Sequence, residues 1–395
     1  MKKIIIAFIV LVLAAPSVVG QGLTLWTTFG DETLEWLQGE ATSFSAAFGV
    51  PTNVVRLDIN ELRQQALLAA PQGQAGDLFI GIPHDQIAPM ALGGVTDDIS
   101  AFATAAYLAD LSEQARLAYT FQGRLIGLPM FVEGPALIVN NDLVDTLPAT
   151  YEELIATAQE LTTADTFGFM YDISNFYFAF GWINTFGGYV FGSDATGSLV
   201  ASDVGLDNEG AIAGAQAIKD LRHAYDLVPA GTDYDVANGL FVDGALAMIY
   251  NGPWAVSQYQ AAGHDVSVHP MPPLADGTPW SGFMGVQGVL MNPFSPNRAD
   301  AANFAKWITR PDAQVSMAQL SGRIPASISA LAQVEDDPFI AGFGLALLDS
   351  VPMPNIPEMS NVWGPMLDAL SVIIESEDSD VATALQQAAA DIRGN

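Results

Sequence analysis

Apolar positions along the first eighty residues switch between two periods. Gly22–Thr28 (GLTLWTT) alternates residue by residue, as a strand with one buried face does, whereas Asp31–Ala47 sets Leu34, Leu37, Phe44 and the following Phe48 near one face at helical spacing. Thr52–Leu57 and Gly76–Ile82 read as two further strands with a helix, Glu61–Ala70, between them. Strand-helix-strand-helix-strand order requires parallel pairing through crossover helices. After a turn at Pro83-His84, the pattern predicts a helix over Asp85–Leu92. Further on, Phe121–Pro129 reads as a hairpin turning at Gly123, and Phe131–Val139 as a strand interrupted by Gly134-Pro135. Phe167–Tyr171 and Gly282–Met291 are predicted strands. Helices are predicted over Pro148–Leu161, Asn175–Phe186, Asn208–Leu227, Val236–Asp243, Asp300–Thr309, Asp312–Leu320, Asn361–Ile374 and Asp380–Ile392. The first of these starts at Thr150 with Glu152 and Glu153 in its first turn, where the helix dipole favours acidic groups.

Phe241–Tyr259 (FVDGALAMIYNGPWAVSQY) has the most informative local pattern. Ala245–Tyr250 is a short apolar run, as in a strand buried on both faces. Asn251-Gly252-Pro253 breaks it. Asn suits an N-cap and Pro the first helical position, so a helix is predicted from Pro253 with Trp254 in its first turn. Trp254 then stands at the carboxyl end of a strand, the end at which open α/β sheets bind ligands. It is either core or a flat apolar platform.

Composition narrows the classes. A chain of 395 residues can build two domains with substantial cores. It has no cysteine, which excludes disulfides, thiolate metal sites and Cys nucleophiles. Met1–Gly20 has the parts of a secretory leader: Lys2 and Lys3, the apolar Ile4–Ala15, then small residues suited to cleavage. With no Cys at that cleavage point, a lipid anchor is not expected. Beyond the leader, 11 basic residues face 44 acidic ones, and Lys219 and Lys306 are the only lysines. Such a surface argues against nucleic acid and anionic membranes, and reads as solubility or as adaptation to high salt. His84, His223, His264 and His269 lack metal-site spacing. No G-x-S-x-G, S-x-x-K, H-E-x-x-H, P-loop or G-x-G-x-x-G motif is present. Paired carboxylates for glycoside hydrolysis are invisible in sequence, because their separation is not encoded locally.

The run F-x-x-G-x-x-A-M-x-x-N-G-P-W, starting at Phe241, resembles the signature of the extracellular solute-binding proteins of sugar ABC importers, the maltose/maltodextrin-binding group. Gly127–Asp142 (GLPMFVEGPALIVNND), Asp203–Gly214 (DVGLDNEGAIAG) and Met353–Trp363 (MPNIPEMSNVW) resemble the same family in the same order. The resemblance implies a two-lobed periplasmic binding protein fold of type II. Each lobe would be a mostly parallel sheet flanked by helices, joined by hinges near Phe131–Gly134 and Phe283–Gly288, with a third crossing near Val334–Pro338. Residues 21–131 and 288–337 would form one lobe, and 132–287 and 338–395 the other. It further implies a non-enzymatic exported monomer without cofactor or metal. Such a protein captures a di- or oligosaccharide and hands it to ABC permease subunits.

A sugar site needs flat aromatic faces for C–H surfaces and polar side chains for hydroxyl edges. The resemblance assigns Tyr177, Trp254 and Trp363 as stacking residues and, on a weaker local match, Tyr234. It assigns Asp85, in a His-Asp pair, and Glu133, after an apolar strand, as hydroxyl partners; Asp85 is also readable as an ordinary exposed helix cap. Asp31 is a candidate carboxylate from the other lobe. There are departures. Gln86 stands where the family has Arg after the His-Asp pair. Gly81-Ile82 replaces a Trp-bearing wall. Asn175-Phe176-Tyr177 replaces an E-P-Y triplet. Thr28 and Phe29 stand near an expected lysine. By this reading the first lobe has lost charged partners, so trehalose, another disaccharide or a longer glucan competes with maltose.

The charge balance yields a test. Self-repulsion weakens as the Debye length falls from about 10 Å at 0.1 M salt to about 3 Å at 1 M. The melting temperature is expected to rise between dilute buffer and roughly 1–2 M KCl. A flat profile in chloride, which lacks the general stabilising effect of sulfate, would refute the role of self-repulsion.

Overall fold

In the first strand, β1 (Leu23–Thr27), buried and half-buried residues alternate. It is the axis of a parallel group, pairing with β2 (Thr52–Arg56) on one side and β3 (Leu78–Pro83) on the other. The computed structural model describes residues 22–96 and 98–394; the leader expected over Met1–Gly20 lies outside them. The helix between β1 and β2, Asp31–Phe48, buries Thr33, Leu37, Ala41 and Phe44 against the sheet. It stops at Gly49, whose left-handed backbone lets its N–H bond to the Ser45 carbonyl.

The chain then crosses between two sheets. β4 (Gly127–Glu133) lies wholly in the first sheet and β5 (Ala136–Asn140) in the second, with Gly134-Pro135 between them. A Cβ on Gly134 would stand 2.4 Å from the Leu347 side chain and 2.7 Å from the Phe283 carbonyl, so only glycine fits. β6 (Phe167–Met170), β7 (Leu246–Asn251) and β8 (Val266–His269) complete the second sheet, in the order β8-β5-β7-β6. β9 (Phe283–Met291) returns to the first sheet and β10 (Ile324–Pro325) closes its edge, giving β10-β4-β9-β3-β1-β2; Val351–Pro352 pairs with the start of β9. Helices flank both sheets. The arrangement is the expected two-lobed α/β fold, with one correction: the sheets are mixed, not mostly parallel. β9 runs antiparallel to both β3 and β4, and β5 antiparallel to both β7 and β8. The reason is the route of the chain. β3 and β7 end at the cleft, whereas a strand arriving from the other lobe starts there and runs the opposite way.

Each lobe has its own core. The second is dominated by rings: Trp182 stacks on Tyr171 at 4.2 Å and Phe180 on Phe283 at 3.7 Å, each with planes 8° apart. The periodicity did not predict the hairpin of Tyr189–Ser193 and Leu199–Gly205, whose second strand buries only Val204 and Gly205 and so lacks an alternating buried face. It also did not predict the helix Pro338–Ala346, capped by Asp337. That helix presses Gly342 onto β8, where a Cβ would come within 2.4 Å of the Val268 carbonyl.

Phe180 is buried and has no place in the cleft. Phe180→Ala is expected to cost about 3–5 kcal/mol of unfolding free energy in urea titration of the unligated protein. A loss under about 1 kcal/mol would mean that the ring stack is not what holds this core.

Candidate ligand-binding cleft

The carboxyl ends of β3 and β7 face a cavity of about 560 Å³ between the two sheets. All eight residues singled out from the sequence line it: Asp31, Asp85, Gln86, Glu133, Tyr177, Tyr234, Trp254 and Trp363. The wall on the side of the second sheet is aromatic. Asn175 caps the helix Phe176–Thr185, its side chain accepting from the Tyr177 N–H at 3.1 Å, which fixes Tyr177 in the first turn. The Tyr177 and Trp254 rings lie 6.2 Å apart, and buried Phe178 backs both Trp254 and Tyr234. Trp254 stands on the short turn Pro253–Ala255 after β7, as predicted, but the cap residue is Gly252. The Asn251 side chain instead donates to the Tyr259 hydroxyl and accepts from the Gly252 N–H. A Cβ on Gly252 would fall 2.1 Å from the Trp254 ring, so the indole lies against backbone that only glycine can supply. Tyr177, Tyr234, Trp254 and Trp363 are each half-buried, which separates them from the fully buried Phe176, Phe178 and Phe180. Trp254 is therefore a cleft residue and not a core residue.

The opposite wall is polar. Asp85 lies in the turn His84–Gln86 after β3 and is buried, so it is not the exposed cap that the sequence left open. Its Oδ2 accepts from Gln86 Nε2 at 2.5 Å and, across the cleft, from Trp363 Nε1 at 3.2 Å. Burial pushes the Asp85 carboxyl up to about 6, against the pull of these hydrogen bonds and of Arg63. Arg63 donates to Gln86 Oε1 at 2.9 Å. Asp31, with φ of 46°, holds a left-handed conformation rare for a non-glycine, and accepts from Gln258 Nε2 at 3.0 Å across the cleft. Glu133 accepts from Arg323 Nε at 2.8 Å and from Gln287 Nε2. His84 lies behind this wall. Its Nδ1 accepts from the Val286 N–H at 3.0 Å, which leaves Nε2–H to donate to the Met353 carbonyl at 2.8 Å; burial holds its pKa down to about 4.

Sequence reasoning missed Arg63, Arg323, Gln258 and Gln287, all of which line the cavity. The expectation that the first lobe has lost its charged partners is corrected here. Arg63 reaches from the helix Ile59–Ala69 to the Gln86 amide, and Arg323 arrives from a segment 190 residues after Glu133. Neither proximity has a local signature. Among the described residues no group of His, Cys, Asp and Glu could hold a metal ion, and no helix is long and apolar enough to cross a membrane.

A family model described as bacterial extracellular solute-binding protein matches residues 41–342. The chain belongs to this family. A Thermus thermophilus maltotriose-binding protein solved with maltotriose is similar at 46% identity, covering 94% of this chain and 99% of its own, with a TM-score of 0.91. A cyclo/maltodextrin-binding protein solved with maltotetraose is similar at 29% identity, covering 95% and 97%, with a TM-score of 0.79. The galactooligosaccharide-binding protein of Bacillus subtilis (strain 168) is 29% identical over 95% of this chain and 89% of its own length. As an extracellular solute-binding protein, the chain sets its cleft where two lobes meet.

Asp85 gives the cleft a pH dependence. Its pKa is raised, so its contribution to folding is full below the ordinary value of 3.8 and is lost as pH rises through about 6, a swing of about 3 kcal/mol. His84 has the opposite sign, its contribution being lost as pH falls through about 4. Comparing wild type with Asp85→Asn cancels His84 and the background charge. Asp85→Asn is expected to gain on wild type in unligated urea titrations as pH rises from about 4 to 7. A difference independent of pH would contradict the raised pKa.

Proposed function

We propose that this chain is an exported binding protein that captures a malto-oligosaccharide of about three glucosyl units and delivers it to an ABC importer. The observation that carries this reading is the opposition, in one cavity, of four half-buried aromatic faces to a wall of carboxylate, amide and guanidinium groups. Sugar rings present apolar C–H faces and hydroxyl edges, and this cleft offers a partner to each. A cavity of about 560 Å³ has room for a ligand of this size. The 46% identical relative solved with maltotriose supports the same length.

Trp254, Trp363, Tyr177 and Tyr234 supply the stacking faces. Asp31, Asp85 and Gln86 bind hydroxyl edges, and Glu133 organises the hinge end. The lobes comprise residues 21–131 with 288–337 and 132–287 with 338–395, and close on the sugar about their hinges. Met1–Gly20 directs export, and the mature chain acts as a soluble monomer with no lipid anchor. Hydrolysis is disfavoured because the family and the relatives this chain matches are solute-binding proteins.

Calorimetry over glucose, maltose, maltotriose and longer glucans is expected to peak at maltotriose, with the sugar recovered intact. Tightest binding to a galactooligosaccharide would transfer the reading to the solute of the Bacillus relative. Trp254→Ala removes roughly 60–100 Å² of apolar contact, about 1.5–2.5 kcal/mol, and should weaken binding about 10- to 70-fold. Unchanged affinity in that variant would refute the platform.

A further inference from the structure

The hinge end of the cleft holds a buried ion pair with unfilled hydrogen-bonding capacity. Glu133 ends β4, and Arg323 directly precedes β10, where Ile324 pairs with Val132. Their side chains are 5% and 6% exposed, and Arg323 Nε donates to Glu133 Oε2 at 2.8 Å. Gln287, from β9, donates to the other oxygen of Glu133. The Arg323 guanidinium lies over the Phe131 ring at 5.0 Å. Its place is thus fixed by a carboxylate and an aromatic face.

A guanidinium carries five N–H donors and no acceptor. Arg323 Nη1 is buried without a hydrogen-bond partner among the described residues, and Arg323 lines the cavity. A donor on a buried cation is costly to leave unmade, and native structures keep few such groups. Both Glu133 oxygens, in contrast, are engaged. The cation at this end of the cleft therefore keeps donor capacity that no protein group takes up.

We propose that Arg323 is a specificity-determining residue whose guanidinium donates to a hydroxyl oxygen of the bound sugar, and that Glu133 is the residue positioning it. This rests on the saccharide reading above and adds the holding of the cation to the part expected of Glu133. The cleft then selects a ligand by an oxygen acceptor at one fixed position. A sugar lacking that oxygen leaves the buried cation unsatisfied.

The test is a binding cycle with maltotriose and its monodeoxy analogues, measured by calorimetry on wild type, Arg323→Met, Arg323→Lys and Glu133→Gln. Arg323→Met leaves Glu133 buried without its cation, so Arg323→Lys, which keeps the charge but not the fork, is run beside it. One monodeoxy analogue is expected to bind wild type about 10- to 100-fold more weakly than maltotriose. That discrimination should shrink to about twofold or less in both Arg323 variants. Glu133→Gln retains an acceptor for Nε–H and should keep most of it. A purely structural role would weaken every ligand alike and leave discrimination intact, which would overturn the proposal. So would a series in which no single deoxygenation is penalised. If wild type binds no malto-oligosaccharide, the saccharide reading itself falls, and this assignment with it.

Discussion

Strand Phe283–Met291 is hydrogen-bonded along both edges within the first sheet, while its first side chain is buried in the aromatic core of the second. The rest of the cleft depends on this double commitment. Phe283 stacks on Phe180 and lies beside Tyr177, so the strand sets the base of the aromatic wall. Three residues on, the Val286 N–H is held by His84 from the first lobe. The next residue, Gln287, holds Glu133. His84 also bonds the Met353 carbonyl, so one neutral imidazole ties the end of β3, the returning strand and the segment that follows Val351–Pro352. An imidazole that accepts one backbone bond and donates another must stay neutral, and its burial keeps it so.

The cleft runs against the charge of the molecule. Acidic residues outnumber basic ones 44 to 13, yet two of the few arginines, Arg63 and Arg323, line the cavity. In a site shielded from water, a guanidinium opposite carboxylates and amides gives a fixed pattern of donors and acceptors, and each unmatched group carries a penalty. Rigidity supports that pattern and the aromatic faces alike. Gly252 lets the Trp254 indole lie on backbone, and the contacts Asp31–Gln258 and Asp85–Trp363 span the cleft and join its walls.

Local sequence dictated most of the elements, and the resemblance to a known family supplied the two-lobed class and most of the eight residues that meet in the cavity. Alternation in β1, helical spacing after Asp31 and the strand-break-turn at Asn251-Gly252-Pro253 are local patterns, fixed by backbone geometry and burial within a few residues. Resemblance in four separate motifs then tied those pieces to one architecture. The tertiary structure alone decided strand direction at the crossings, the burial of Asp85 and the engagement of Glu133. It also brought Arg63 to Gln86 and Arg323 to Glu133. The physical reason is distance along the chain. Gln287 and Arg323 meet Glu133 from 154 and 190 residues away through antiparallel pairing. No local period records such a meeting, and the cost of a buried cation or carboxylate is set only when its partners arrive.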